Sequence, residues 1–80
     1  MLKVVGSNQC PDTMAALEQL KKEGREFEFI NVLENHDNLK VYLALRDSDP
    51  AYADIRGTQR LGFPAFVLED GTVTLDMPEA

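Results

Sequence analysis

Within its first thirty-two residues the chain sets out a strand, a helix and a second strand, and this succession limits the fold more than any other feature. Leu2-Lys3-Val4-Val5 is a short run rich in β-branched residues, closed by the turn formers Gly6-Ser7-Asn8. From Pro11 to Glu23, Met14, Leu17 and Leu20 recur at three-residue spacing with Ala16 beside them, while Glu18, Gln19, Lys21 and Lys22 are polar. That spacing predicts a helix with one buried face, ended by Gly24. Phe27-Glu28-Phe29-Ile30-Asn31-Val32 then alternates apolar with polar almost throughout, as a half-buried strand does. Connections this tight fit a parallel βαβ unit with a right-handed crossover.

The remainder adds a helical region and a hairpin. Asn35 can cap a helix containing Leu39, Tyr42, Leu43 and Arg46, broken at Asp47-Ser48-Asp49-Pro50 because proline disfavours helical geometry in the residue before it. Pro50 can open another short helix carrying Tyr52 and Ile55. Beyond Gly57, Arg60-Leu61-Gly62-Phe63-Pro64 leads into the β-like segment Ala65-Phe66-Val67-Leu68. The Asp70-Gly71 pair separates it from Thr72-Val73-Thr74-Leu75 and predicts an antiparallel hairpin, since both residues tolerate the positive φ of its turn. No repeat or low-complexity linker interrupts the pattern, so residues 1–80 are expected to form a single α/β domain.

Length and charge narrow the chemistry. Eighty residues cannot build two hydrophobic cores, and the sole cysteine, Cys10, rules out an intramolecular disulfide. A core of this size supplies only ~3–5 kcal/mol, which favours regular, economical secondary structure. The net charge of -6 opposes binding to phosphate backbones, so no nucleic-acid partner is expected. No apolar run approaches the roughly 20 residues of a membrane span, and the N-terminus is too short for a signal-peptide core. No membrane partner and a cytoplasmic location are the corresponding expectations. His36 is the only histidine, far in sequence from Cys10 and placed as an exposed residue of a first helical turn. No ligand cluster has zinc spacing, and no metal is expected.

Cys10 is the residue with chemical potential. It stands in Gly6-Ser7-Asn8-Gln9-Cys10-Pro11-Asp12-Thr13, at the junction of the first strand and the first helix, with proline where the helix should begin. A thiol there faces unpaired amide N–H groups and the positive end of the helix dipole, which favour the nucleophilic thiolate. Asp12 in the same turn opposes that effect through its own negative charge, so a modest activation is expected. The alternative is a cysteine acting only as a small buried apolar residue. Two further features favour reactivity: the helix start fixed by Pro11, and Gly62-Phe63-Pro64 immediately before a strand.

These elements together resemble the glutaredoxin branch of the thioredoxin-fold proteins. The resemblance rests on Cys10-Pro11-Asp12-Thr13 after the first strand, Gly62-Phe63-Pro64 before the third, and the Asp70-Gly71 hairpin, and it covers nearly the whole chain. Asn38-Leu39-Lys40, Leu45-Arg46-Asp47 and Val67-Leu68-Glu69-Asp70-Gly71-Thr72-Val73-Thr74 are similar to a group of small bacterial glutaredoxin-related proteins. The resemblance implies a β-α-β-α-(α)-β-β order, a four-stranded mixed sheet in spatial order 2-1-3-4 and helices on both faces. It implies a cis-proline at Pro64, with Phe63 offering its backbone to a bound thiol compound. Cys10 would be the catalytic nucleophile, supported by Pro11, Asp12, Thr13 and Pro64.

Departures from the family pattern shape the expected function. Relatives often carry Cys-x-x-Cys, whereas Thr13 occupies the second cysteine's position here, so an intramolecular dithiol cycle is closed to this chain. Thr13 either hydrogen-bonds the Cys10 sulfur or a helix amide, or fills the same space as a first-turn residue. Glutathione-binding relatives carry a basic residue shortly before the cysteine, and Gly-Gly followed by an acid after the last strand. The corresponding stretches here read Ser7-Asn8-Gln9 and Leu75-Asp76-Met77. Attraction of the anionic tripeptide would then rest on Arg56 or Arg60, both otherwise solvated surface charges; Arg60, with Phe63 and Pro64, forms the expected substrate-binding set.

The leading expectation is a monothiol thiol-disulfide oxidoreductase acting through Cys10 on glutathionylated or mixed-disulfide substrates. It would hold no tight cofactor, would use glutathione as co-substrate, and would have glutathione or thiol-containing proteins as partners. Two other readings stay open: a non-catalytic redoxin-fold thiol sensor or protein-binding module, and a glutathione-assisted iron–sulfur cluster carrier. Met77-Pro78-Glu79-Ala80 could begin a final helix of the kind that ends glutaredoxins.

Overall fold

A computed structural model describes residues 1–79; Ala80 lies outside the described residues, and so does the end of the segment considered for a final helix. The elements run β1 (Leu2–Gly6), α1 (Pro11–Lys22), β2 (Phe27–Asn31), α2 (His36–Ser48), a 3₁₀ turn (Pro50–Tyr52), β3 (Ala65–Val67) and β4 (Val73–Thr74). The four strands form one sheet in the order β2-β1-β3-β4. β1 pairs parallel with β2, in register Val4↔Phe29, and antiparallel with β3, in register Val4↔Phe66. The α/β class is the one expected from the sequence pattern, and the mixed sheet and the strand order are those that the resemblance implies.

The period-2 geometry of β1 divides the core. Val4 and Val5 point to opposite faces of the sheet, and both are completely buried. On one face Leu2, Val4 and Phe66 pack against Ala16, Leu17 and Leu20 of α1. On the other, Val5, Ile30 and Ala65 pack against Tyr42 of α2, with Tyr52 and Ile55 beyond it. Helical segments therefore cover both faces. Each fully buried Val, Leu or Phe contributes about 1.5–3 kcal/mol, so this two-sided burial is what lets so short a chain hold together without a cross-link.

The local signals act where they are written. Pro11 is the first residue of α1, and the chain leaves that helix through Gly24 at φ +70. Asn35 caps α2, its side-chain oxygen accepting from the Asn38 amide at 2.8 Å. α2 ends at Ser48 directly before Asp49-Pro50.

Several expectations need correction. Met14 is 46% exposed, and the buried stripe of α1 is Thr13, Ala16, Leu17 and Leu20. Ala16, Leu17 and Leu20 lie on the face that the spacing gives, and polar Thr13 takes the place expected for Met14. β2 stops at Asn31, although Val32 still donates to the Gly6 carbonyl at 2.8 Å and is buried. β3 and β4 are shorter than the segments Ala65–Leu68 and Thr72–Leu75. The hairpin turn also differs in kind. Gly71 has φ +90, but no residue other than glycine has a positive φ among the described residues. The Gly71 amide donates to Leu68, and the Leu68 amide to Thr72. Glu69-Asp70-Gly71 is thus a three-residue loop with glycine at its left-handed position, and Asp70 works as an acceptor for the Thr72 amide at 2.9 Å. That backbone hydrogen bond, joined by the Thr72 side chain, holds the Asp70 carboxyl below the usual carboxylate range.

After β4, residues 75–79 contain no helix, and the segment is tied back by Arg25, which donates to the Pro78 carbonyl at 2.8 Å. No helix among the described residues is long and apolar enough to cross a membrane.

Candidate functional site

The C-terminal end of β1 delivers Cys10 to the start of α1. Ser7 and Gln9 shape the turn: the Cys10 amide donates to the Ser7 carbonyl at 3.0 Å, and the Gln9 amide to the Ser7 hydroxyl at 3.1 Å. Cys10 is the N-cap residue of α1, in extended backbone geometry, and its carbonyl accepts from Met14 at 3.0 Å. Its side chain makes no capping hydrogen bond, and the thiol is free and half-buried. The sulfur is therefore not consumed as an acceptor for the first amides of the helix. Pro11 and Asp12 follow it, both exposed.

Thr13 does not serve the thiol. It is fully buried, and its hydroxyl lies 3.4 Å from the Ser7 amide, on the β1 side of the helix. Gly6 makes that packing possible, since a Cβ there would stand 2.5 Å from the Thr13 hydroxyl oxygen. Of the two roles open to Thr13, the space-filling one describes the structure.

A cleft of about 680 Å³ opens beside Cys10. Ser7 and Gln9 line it from the β1–α1 turn and Asp12 from the first turn of α1; Val32 and Leu33 from the segment after β2; Leu39 and Tyr42 from α2; Arg60, Leu61, Gly62 and Phe63 from the strap before β3. The cleft therefore brings together Cys10, Asp12, Arg60 and Phe63 of the expected site. Pro11, Thr13 and Pro64 are not among its lining residues: Pro64 is buried behind Phe63, and the Phe63–Pro64 bond is cis, as the resemblance implies. Among the described residues, Arg60 is the only basic one lining the cleft and Asp12 the only acidic one. Arg60 also borders a second cleft of about 490 Å³, shared with Asp54 and Asp76, whose negative charges weaken its pull on an anion.

Arg56 is not a clamp for the cleft. Its guanidinium donates to the carbonyls of Arg46 and Asp49, at 2.9 and 3.1 Å, and closes the C-terminal end of α2. His36 is exposed at the start of α2, and among the described residues no group of three or more His, Cys, Asp or Glu side chains is gathered as a metal site.

Sequence reasoning missed the residues that hold the strap. The Tyr42 hydroxyl donates to the Leu61 carbonyl, the Tyr52 hydroxyl to the Gly62 carbonyl at 2.8 Å, and Arg46 to the Arg60 carbonyl at 2.6 Å. The Phe63 ring stands edge-on to Tyr42 with centroids 4.8 Å apart. Gly62 is confined by the same wall: its φ is +74, and a Cβ would stand 2.5 Å from the Tyr52 ring. Tyr42 and Tyr52 did carry a signal, since a buried tyrosine requires a partner for its hydroxyl, but the partners' identity has no local trace.

Burial pushes the Tyr52 phenol well above the ordinary value near 10; Tyr42 adds to the shift and Arg46 opposes it. In the folded chain the phenol thus keeps its proton at a pH where the unfolded chain's phenol loses it. Its contribution is fully present below about pH 10 and is lost as pH rises beyond, because ionisation then favours the unfolded form. Urea midpoints measured from about pH 8 to about pH 11 should fall above pH 10, and less steeply in Tyr52→Phe.

A protein of Haemophilus influenzae, described as an uncharacterized protein, is 32% identical to this chain over 68 residues, covering 85% of this chain and 79% of that one. No family model matches the chain, and no solved structure matches it.

Proposed function

The chain belongs to one family with that Haemophilus influenzae protein, and we propose that it is a monothiol thiol-disulfide oxidoreductase of the glutaredoxin branch of the thioredoxin fold, with Cys10 as its nucleophile. The observation that carries this reading is the free, half-buried thiol at the N-terminus of α1, open to a cleft that it shares with Phe63. The sheet order and the coverage of both faces by helices support the fold assignment.

In the first step the Cys10 thiolate attacks the glutathionyl sulfur of a glutathionylated protein. The Cys10–glutathione disulfide forms, the substrate's disulfide breaks, and the substrate leaves as its thiolate, which takes up a proton. In the second step a glutathione thiolate attacks the glutathionyl sulfur on Cys10, forming oxidised glutathione and releasing the Cys10 thiolate. The chain contains no other thiol, so the second step has to come from outside. The half-buried Cys10 sulfur at the N-terminus of α1 serves first as the attacking and then as the leaving group. The Phe63 N–H and C=O make no hydrogen bond among the described residues, which leaves both for a substrate backbone.

The test is glutathione-dependent reduction of a glutathionylated peptide by the wild type and by Cys10→Ser at matched concentration and pH. Turnover above the uncatalysed rate in the wild type, lost in the variant, supports the proposal. No turnover in either would replace it with a binding or sensing domain.

A further inference from the structure

Three consecutive backbone carbonyls in the strap before β3 are each held by a different side chain. Arg46 takes the Arg60 carbonyl, Tyr42 the Leu61 carbonyl and Tyr52 the Gly62 carbonyl. The Arg46 guanidinium also donates to the Thr58 carbonyl at 3.0 Å and contacts the Ile55 carbonyl at 3.4 Å and the Tyr42 hydroxyl at 3.3 Å. A planar fork with five donors is suited to gathering carbonyls in this way, and a lysine ammonium is not.

The three peptide bonds concerned are trans, since Phe63–Pro64 is the only cis bond among the described residues. In a trans peptide the N–H points opposite to the C=O of the same plane. Turning the carbonyls of Arg60, Leu61 and Gly62 toward their side-chain donors therefore turns the amides of Leu61, Gly62 and Phe63 away from them. None of these amides has a hydrogen-bond partner among the described residues, and all three residues line the cleft that contains Cys10.

We propose that Arg46 is a positioning residue for the Cys10 cleft: with the two tyrosine hydroxyls it fixes the strap so that its free amides meet the backbone of an extended peptide whose disulfide Cys10 attacks. This rests on the thiol-exchange reading given above and adds a residue remote from the sulfur. Arg46 touches neither substrate nor thiol; it acts through the Arg60 and Thr58 carbonyls. Its loss leaves the thiol's own chemistry intact and removes the alignment of a peptide along the strap.

Two rate constants of Cys10 separate these effects, one with an activated disulfide carried on an extended peptide and one with iodoacetamide, which needs no strap. In Arg46→Met and Tyr52→Phe, each verified as folded by circular dichroism, the peptide rate should fall about tenfold while the iodoacetamide rate stays at the wild-type value. Arg46→Lys should recover only part of the loss, because an ammonium cannot span the same carbonyls. Equal peptide rates in wild type and variants would overturn the positioning role, and so would a parallel fall of both rates, the mark of a merely structural residue. A different result reports on the parent reading: if wild-type Cys10 reacts with the peptide disulfide no faster than a free cysteine does, the exchange function fails and takes this inference with it.

Discussion

Gly62→Ala lowers the stability of the domain by about 2–6 kcal/mol, the sum of a strained backbone and a steric overlap. The backbone at Gly62 has φ +74, a conformation that L side chains rarely adopt, and the added Cβ would stand 2.5 Å from one ring carbon of Tyr52 and 3.1 Å from another. Tyr52 cannot retreat easily, being fully buried with its hydroxyl engaged by the Gly62 carbonyl. Gly71→Ala is the internal control. Gly71 has φ +90 but nothing within 4 Å of the added Cβ, so that variant carries only the backbone cost of about 1–3 kcal/mol. The difference between the two urea midpoints isolates the collision with Tyr52. Equal losses would show that the strap moves freely off the tyrosine wall, contrary to the hydrogen bonds that hold it.

If the proposed function holds, Cys10→Ser is the variant expected to have the largest effect on activity. It should reduce glutathione-dependent turnover by about 10³-fold or more, equivalent to about 4 kcal/mol of barrier, because a hydroxyl stays protonated at neutral pH and cannot form the mixed disulfide. Unfolding does not offer a competing explanation. The Cys10 side chain makes no cap hydrogen bond, and serine is among the preferred N-cap residues, so the variant should be at least as stable as the wild type. Thermal unfolding of both proteins beside the activity assay checks this pairing of lost turnover with retained stability.

The fold was legible where the physical cause is local. A proline opening α1, an asparagine cap on α2 and a glycine leaving α1 act through the backbone within one turn, and period-2 alternation marked β2. The errors arose where a long-range contact overrides a residue's usual preference. Thr13 is polar by type but buried because Gly6 opens a place for it on β1, and that contact left Met14 facing outward. The Glu69-Asp70-Gly71 loop lies between the expected strand segments, but only Gly71 takes the positive φ there, while Asp70 acts through its side chain on the Thr72 amide.

The candidate site divides in the same way. Cys10 at a helix start could be read from Pro11 and the turn before it. Arg46, Tyr42 and Tyr52 could not, because each binds a carbonyl 10 to 19 residues away and carbonyls are common to every residue type. Arg56 is exposed, as a surface charge is expected to be, but the carbonyls of Arg46 and Asp49 that it binds at the end of α2 left no trace in the sequence.

Transfer of a single glutathionyl group to Cys10 is the most direct test of the proposed chemistry. Wild-type protein is mixed with a glutathionylated peptide in the absence of other thiols, and the intact protein and the free peptide thiol are followed together. The account predicts one glutathionyl group on Cys10 for each peptide thiol released, and complete discharge of the group when glutathione is added. Unmodified protein, or a glutathionylated Cys10 that glutathione cannot discharge, would contradict it.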